Sequence, residues 1–247
     1  MRLAPLLLVV GLGLAACAPA AETPAEPPPD HGVYGARTDT GPNGEPIEIN
    51  AVRPAYLTER NRRQRVPYNG PEAAGTIVVD PYARFLYHVL GNGEAMRYGV
   101  AVGQAGKNFQ GSATIGRKHA WPSWTPTANM VRTQPELYGP LRHGLAGGVD
   151  NPLGSRALYL YKGGRDTMYR IHGTMDPSSI GKATSAGCIR LFNQDIMDLF
   201  NEIPRGTAVK VRTRAESLAL EGPLVELPNG YLAPAGEVQT AEVRAAQ

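Results

Sequence analysis

Short apolar runs separated by turn-forming residues are the pattern that most constrains the fold of this chain. Their β-branched and aromatic residues favour strands, and Gly-Asn-Gly at 91–93 is typical of a tight turn. The predicted strands cover residues 76–80, 84–90, 96–102, 157–161, 168–171 and 207–211. Only residues 193–202 show helical spacing, with Asn193 as the expected cap and Pro204 after the end. The sequence therefore predicts a mainly β domain with one short helix.

Two further segments do not follow this alternating pattern. Residues 103–148 are rich in Gly, Pro and Trp and are predicted to be one long loop, which at this length is usually functional and could form a lid or groove wall. The glycines of this loop do not have the spacing of a dinucleotide-binding motif. Residues 213–247 are predicted to be a C-terminal tail that either adds a small hairpin or stays loose.

The N-terminus has the features of a processing signal. Arg2 is followed by a short apolar stretch at 6–14, which is below the roughly 20 apolar residues that a membrane-spanning helix needs. Leu-Ala-Ala-Cys at 14–17 resembles the bacterial lipobox, in which the cysteine is lipidated. We therefore expect a signal peptide at 1–16, a lipid anchor at Cys17 and a periplasmic location. By resemblance to the sorting rules of enterobacterial lipoproteins, Ala18 after the cysteine, in place of aspartate, favours the outer membrane. The alternative is an ordinary cleavable signal with a chance cysteine.

The segment after Cys17 is predicted to be a spacer that reaches to residue 74. Residues 18–50 contain many prolines and few large apolar side chains, which predicts a semi-extended tether. A basic connector follows, in which the cationic residues are either a solvated face or a contact for anionic headgroups or wall polymer. These residues are Arg53, Arg60, Arg62, Arg63 and Arg65. The net charge of +3, without a basic stripe that alternates with aromatic residues, argues against nucleic-acid binding.

A histidine and a cysteine provide the minimal groups for nucleophilic acyl transfer. His172 ends a strand-like run, and Cys188 follows Gly187 just before a short apolar step. An imidazole can take the thiol proton, and the thiolate can then attack a carbonyl. If Cys17 is acylated, Cys188 is a lone thiol in an oxidising compartment, where an unpaired cysteine usually has a function. The other reading is a buried thiol that packs as a small hydrophobic residue.

The residues around this pair resemble the L,D-transpeptidase catalytic domain (YkuD family) over about residues 75–212. The resemblance rests on Ile-His-Gly-Thr at 171–174, on Ser-Ala-Gly-Cys-Ile-Arg at 185–190 and on Asn-Pro-Leu-Gly at 151–154. It implies an L,D-transpeptidase-type β-sandwich that uses no cofactor. No histidine pair has the helical spacing of a zinc peptidase, so no metal site is predicted.

The resemblance also implies roles for individual residues. Cys188 is expected to be the nucleophile, His172 the base, and the carbonyl of Gly173 the group that orients the imidazole ring. The expected oxyanion or substrate contacts are Gly187, Ser185 and Arg190. Many relatives carry histidine where this chain has Ala186, so the base role falls to His172 alone.

Arg190 has a second reading in this sequence. It is suited to bind a substrate carboxylate through two parallel hydrogen bonds. The alternative is a structural ion pair with Asp195 or Asp198, which follow it closely in the chain.

The implied reaction is acyl transfer on peptidoglycan stem peptides. Cys188 would cleave the amide between an L-centred residue and a terminal D-amino acid, forming a thioester that an amine acceptor resolves. The product would be a cross-link or an attached protein. One alternative is a hydrolase that uses the same residues to trim stem peptides or release wall-bound protein. Another is a lipid-anchored tether that binds the wall without turnover.

Overall fold

A computed structural model describes residues 32–103, 109, 111–183 and 187–245. Its strands are β1 (Arg37–Thr40), β2 (Pro46–Ile49), β3 (Gln64–Pro67), β4 (Ile77–Asp80), β5 (Phe85–Gly91), β6 (Glu94–Gly99), β7 (Ala101–Val102), β8 (Gly111–Ala120), β9 (Arg156–Lys162), β10 (Arg165–His172), β11 (Ile189–Arg190), β12 (Ala208–Val211), β13 (Leu224–Glu226) and β14 (Leu232–Pro234). Its α-helices are α1 (Ala128–Thr133), α2 (Pro135–Tyr138), α3 (Asn193–Glu202), α4 (Arg214–Glu221) and α5 (Ala235–Ala245). The prediction of a mainly β fold is confirmed.

The main sheet has ten strands in the order β3-β6-β5-β4-β12-β8-β9-β10-β11-β7. Its neighbours are antiparallel except for the pairs β4–β12 and β10–β11. The second parallel pair aligns Ile171 with Ile189 and His172 with Arg190. This register brings the end of β10, where the histidine lies, beside the residues that directly follow Cys188.

The core lies on both faces of the sheet, and β4 shows why. All four of its residues are buried, with Ile77 and Val79 in one apolar cluster and Val78 in another. Successive side chains of a strand point to opposite faces, so a continuous apolar run fits a strand that is covered on both sides. Helix α3 contributes Ile196 and Leu199 to the same cluster as Ile77. Strands β10 and β11 also contribute to this cluster, so α3 covers the sheet face on which their apolar side chains lie.

Helix α3 has the predicted bounds but not the predicted cap. Phe192 occupies the cap position and makes no capping hydrogen bond through its side chain. Asn193 is the first helical residue, and its side chain instead bonds to the backbone near the site. The expectation of one helix is wrong, because the described residues contain four further α-helices.

The predicted tether is wrong for its described part, residues 32–50, which packs on the domain. Tyr34 lies edge-on against Phe192 with ring centroids 5.5 Å apart, and Ile49 joins a buried cluster with Trp121. The carboxylate of Asp39 accepts hydrogen bonds from Trp121 Nε1 at 2.9 Å and from Arg156 at 2.6 Å. A few well-placed contacts therefore hold a segment whose composition alone predicts no fold.

The arginines of the connector also make internal contacts. The guanidinium of Arg60 lies 4.3 Å from the ring centroid of Phe85, and Arg63 forms an ion pair with Asp198 at 2.6 Å. Arg62 donates from Nε to the carbonyl of Leu57 at 2.9 Å. These contacts do not fit the reading of the patch as a purely solvated face.

The predicted long loop is interrupted by secondary structure. Strand β8 and helices α1 and α2 fall within residues 103–148. The C-terminal tail contains the expected hairpin, β13–β14, together with α4, whose Thr213 and Glu216 form a capping box, and α5. Among the described residues, no helix combines the length and apolar character needed to cross a bilayer.

Candidate active site

Strands β10 and β11 set the position of the predicted catalytic pair. Ile171 and Ile189 are fully or almost fully buried and pin the two strands to the same core. Beyond them, the backbone N–H of Leu191 donates to the carbonyl of His172 at 2.8 Å. Cys188 lies directly before β11, and the backbone of Arg170 is hydrogen-bonded to its thiol. The histidine and the cysteine thus come from adjacent strands that share one hydrogen-bonding register.

The imidazole of His172 is only 3% exposed and has a defined hydrogen-bond partner. Its Nδ1 lies 2.6 Å from the carbonyl oxygen of Gly173, which can only accept, so Nδ1 carries the proton. Burial and, to a smaller extent, the nearby charge of Arg190 lower the pKa of His172 to about 3, although the hydrogen bonds to the carbonyls of Gly173 and Leu153 act in the opposite direction. The ring is therefore neutral near pH 7, and Nε2 keeps the lone pair that a base needs.

Burial favours the uncharged form of the Cys188 thiol, as it does for the imidazole of His172. Burial raises the pKa of the thiol, while the hydrogen bond from the Arg170 backbone and the charges of Arg170 and Arg190 act in the opposite direction. A raised thiol pKa beside a lowered imidazole pKa favours the neutral pair over a thiolate–imidazolium pair.

Gly187 has a backbone conformation that explains the residue type. Its φ is +149°, a value that L-residues with a side chain rarely adopt. Glycine at this position therefore allows the backbone to turn directly before Cys188, which leads into β11. A Cβ at this position would strain the backbone that carries the thiol.

Arg190 makes neither of the predicted structural ion pairs. Asp195 and Asp198 are paired with Arg63, and Asp198 also with Arg37, so that reading of Arg190 is wrong. Nε of Arg190 is buried without a hydrogen-bond partner among the described residues. Arg190 is the register partner of His172, so this unpaired donor lies on the strand residue beside the histidine.

A stacked group of charged and aromatic residues, which the sequence did not reveal, lies beside the cysteine. Arg170 binds Asp166 through two bonds of 2.7 and 2.9 Å, and its guanidinium lies 4.2 Å from the ring centroid of Tyr159. Arg117 lies 3.8 Å from the same centroid. Asp166 and Tyr159 both hold the side chain of Arg170. The backbone N–H of Arg170, which contacts Cys188, therefore belongs to a residue whose position is fixed by its side chain.

Asn193 is a second residue whose role the sequence did not reveal. Its Oδ1 accepts hydrogen bonds from the backbone N–H of Ser155 at 3.0 Å and of Thr174 at 3.2 Å. Its Nδ2 donates to the carbonyl of Thr174 at 2.9 Å. A Cβ on Gly154 or Gly173 would lie 2.4 or 2.1 Å from the same Oδ1. This close approach explains both glycines and ties the His-Gly-Thr segment to α3.

Some of the residues named from the sequence fall outside the described residues, and two further histidines make contacts of their own. Cys17, Ser185 and Ala186 fall outside the described residues, as does the whole predicted signal peptide. His119 is exposed and contacts the carbonyl of Ala120, while His88 lies 3.4 Å from Glu202. Within the part of the chain that the structure describes, no three His, Cys, Asp or Glu residues are grouped as metal ligands.

The sequence of this domain matches the model of a known family. The family model of the L,D-transpeptidase catalytic domain (YkuD) matches residues 74–211, which is more than half of the chain. The chain therefore belongs to the L,D-transpeptidase (YkuD) family.

Individual relatives match over part of their length. The probable L,D-transpeptidase YbiS of Escherichia coli K12 is 37% identical over 138 residues, which cover 55% of this chain and 44% of that protein. The probable L,D-transpeptidase ErfK/SrfK of the same strain is 31% identical over 193 residues, which cover 74% of this chain and 61% of that protein. The match thus spans less than two thirds of either relative.

A solved structure is also similar in sequence. The crystal structure of a probable carnitine operon oxidoreductase from Brucella melitensis is 48% identical to this chain. The match covers 62% of this chain and 96% of that one, and the TM-score is 0.45. A TM-score at this level carries no argument about function.

Proposed function

We propose that this protein is a cysteine-dependent L,D-transpeptidase that acts on peptidoglycan stem peptides. The observation that carries the proposal is the β10–β11 register, in which a buried, neutral His172 ends one strand and Cys188 directly precedes its neighbour. The hydrogen bond between Nδ1 and Gly173 fixes the tautomer that a base requires. Family membership supports the same reaction class.

The proposed reaction has two acyl-transfer steps. Nε2 of His172 takes the thiol proton as Sγ of Cys188 attacks the carbonyl of the L-centred residue, giving a tetrahedral oxyanion. Collapse breaks the C–N bond, and the imidazolium returns the proton to the departing amine of the D-amino acid. The thioester is then attacked by an acceptor amine, which gives up a proton to His172, and the thiol is regenerated. Backbone N–H groups near Gly187 and Cys188 are the proposed oxyanion donors, and Ser185 is a proposed contact.

Recognition of the donor is assigned to Arg190. Stem peptides carry carboxylates, and a guanidinium binds a carboxylate through two parallel bonds. The unpartnered Nε of Arg190 and its place beside His172 support this assignment. The position also accounts for the effect of Arg190 on the pKa of both His172 and Cys188.

Hydrolysis is the second candidate reaction of the same residues. Water can replace the acceptor amine, so the protein would trim stem peptides or release wall-bound protein instead of joining chains. Exclusion of water from the thioester decides between the two outcomes. A tether that binds the wall without turnover is the remaining alternative, and it gives no reason for the paired imidazole and thiol.

The proposal is tested by incubating the purified protein with a tetrapeptide muropeptide and an amine acceptor. Mass spectrometry should show loss of the terminal D-amino acid and formation of the joined product. Cys188→Ala should abolish both, whereas Cys17→Ser, which replaces the chain's other cysteine, should leave both unchanged. A trimmed product without a joined product would favour the hydrolase. Equal turnover by Cys188→Ala would contradict the proposal.

The location is also a proposal. We propose that Cys17 is lipidated and anchors the domain at the periplasmic face of a membrane, with the outer membrane favoured by Ala18. Several buried acyl chains give a stable anchor, whereas one gives marginal binding. Cys17→Ser should move the protein from the membrane fraction to the soluble envelope fraction or leave the signal uncleaved. Wild-type protein with an unmodified N-terminus in the soluble fraction would contradict the anchor.

A further inference from the structure

Side chains from three remote parts of the chain contact Ile180–Lys182, which lies shortly before Cys188 in the sequence. Asn61, which is 1% exposed, donates from Nδ2 to the carbonyl of Ile180 at 3.2 Å. Arg84, which is 5% exposed, donates to the carbonyl of Gly181 at 3.0 Å. The Nζ of Lys182 lies 4.9 Å from the ring centroid of Tyr231.

Arg84, Val100 and Gly181 form a closed ring of hydrogen bonds. The N–H of Val100 donates to the carbonyl of Arg84 at 3.0 Å, and the N–H of Gly181 donates to the carbonyl of Val100 at 3.2 Å. The Arg84 guanidinium closes the ring at the carbonyl of Gly181. Each of the three residues thus fixes the other two.

The backbone that follows Val100 also pairs with the residues that follow Cys188. The two residues after Val100 form β7, which pairs Val102 with Ile189 and Ala101 with Arg190. The chain is therefore attached to residues 100–102 at Gly181, before Cys188, and again at 189–190, directly after it. In the chain, Cys188 therefore lies between two attachments to residues 100–102.

The C-terminal hairpin completes this arrangement through Arg84. The guanidinium also donates to the carbonyl of Gly230 at 2.6 Å and forms an ion pair with Glu226. The φ of Arg84 is +58°, a left-handed conformation that costs energy in a residue with a side chain. Such strain persists where the surrounding contacts fix the residue, and here the guanidinium is held by three acceptors.

We propose that Arg84 is a positioning residue for Cys188. It holds Gly181, which precedes the cysteine in the chain, between residues 100–102 and the β13–β14 hairpin. The proposal deepens the proposed function and rests on it for the meaning of turnover. Without the guanidinium, Gly181 loses one of its two attachments, and the thiol is placed less accurately relative to His172. Misplacement of a reacting group by about 1 Å can cost about 100-fold in rate.

The experiment uses the full chain carrying Cys17→Ser, so that Cys188 is the sole thiol. Arg84→Gly removes the guanidinium and relieves the backbone strain, because glycine adopts a positive φ without cost. Asn92→Gly is the matched control, since Asn92 has φ of +52° in the β5–β6 turn and is exposed. Arg84→Lys keeps the charge with fewer donors.

Two readouts separate positioning from stability. In Arg84→Gly, kcat with the stem peptide should fall about 10- to 100-fold, while KM stays within about threefold. Alkylation of Cys188 by iodoacetamide should become faster, and its pH midpoint should move toward the ordinary cysteine value of about 8.5. Arg84→Lys should fall between wild type and Arg84→Gly, and Asn92→Gly should match wild type. Unfolding would also expose the thiol and slow turnover, so both readouts are taken well below the melting temperature of each variant, where the folded state dominates and a loss of global stability changes neither.

Unchanged kcat and unchanged alkylation in folded Arg84→Gly would overturn the proposal, as would equal effects in Asn92→Gly. Should Arg84→Gly not fold, Glu226→Ala supplies the test, because Glu226 is 56% exposed and its replacement by alanine removes only one of the three partners of Arg84. It should change both readouts in the same directions by a smaller factor, and no change would count against the proposal. If wild type does not process the stem peptide, the proposed function fails, while alkylation still tests the role of Arg84.

Discussion

Replacing Asn193 by alanine should damage both stability and turnover. The side chain makes three hydrogen bonds to backbone groups of Ser155 and Thr174, which are 0% and 2% exposed. Each such bond contributes about 1 kcal/mol net, and a buried group left without a partner costs about 1–3 kcal/mol. The expected loss in the free energy of unfolding is therefore about 3 kcal/mol or more. Because Thr174 follows the His-Gly step, kcat should fall as well.

Gln194→Ala is the control that separates these two effects. Gln194 is the next residue of α3 and is 1% exposed, and its amide donates to the carbonyls of Gly35 and Asn50 at 3.1 and 3.0 Å. It should also destabilise the protein, by about 1–2 kcal/mol, but its partners belong to the N-terminal segment and not to the site. Its kcat should therefore stay near that of wild type.

The assay is denaturation in urea, followed by turnover measured well below the melting temperature of each variant. If the free energy of unfolding falls by about the expected amount, the urea concentration at the midpoint should fall. The slope of that free energy against urea concentration should stay unchanged. The reasoning would be refuted if Asn193→Ala cost less than about 1 kcal/mol, or if its kcat matched that of Gln194→Ala.

Four further predictions concern the site and its surroundings. Gly187→Ala should lower kcat and leave a folded protein by circular dichroism, because φ of +149° disfavours a side chain; unchanged kcat would argue against this constraint. His172→Gln should nearly abolish turnover, and the wild-type acid limb of kcat/KM should lie well below pH 6.5, because burial lowers the pKa of His172 to about 3; an inflection near 6.5 would contradict the buried, neutral ring. Arg190→Gln should raise KM for stem peptides more than Arg190→Lys does; equal KM in wild type and both variants would remove the carboxylate contact. Burial raises the pKa of Asp195 from 3.8 to about 7, so wild type should lose stability relative to Asp195→Asn as pH rises through that interval, by up to about 4 kcal/mol; parallel stability curves would refute this.

The strands that are dense in apolar residues were predictable, and β8 was not. Residues 76–80 and 157–161 are dense in β-branched and aromatic side chains and form β4 and β9. Within β8 only Ala113 and Ile115 are buried, and the remaining positions are polar, small or exposed. A strand that lies between β12 and β9 gains its stability from backbone pairing with both neighbours, which a local pattern does not encode.

The candidate pair His172 and Cys188 could be proposed from the sequence, whereas the residues that support it could not. His172 and Cys188 stand in local motifs whose residue types carry the chemistry. Asn193 and Arg84 act through partners that are remote in the chain, with Arg84 and Gly181 separated by 97 positions. The fold brings these residues together, and their types alone are equally compatible with a helix cap or a surface charge.

The nucleophilic role of Cys188 is tested most directly by the mass of the intact protein after rapid mixing with a tetrapeptide donor in the absence of an acceptor. We expect a single adduct equal to the donor without its terminal D-amino acid, located on the peptide that contains Cys188 and removed by hydroxylamine as a thioester would be. Cys188→Ala should show no adduct. A donor that is turned over by wild type without any adduct on Cys188, or an equal adduct on Cys188→Ala, would contradict the account.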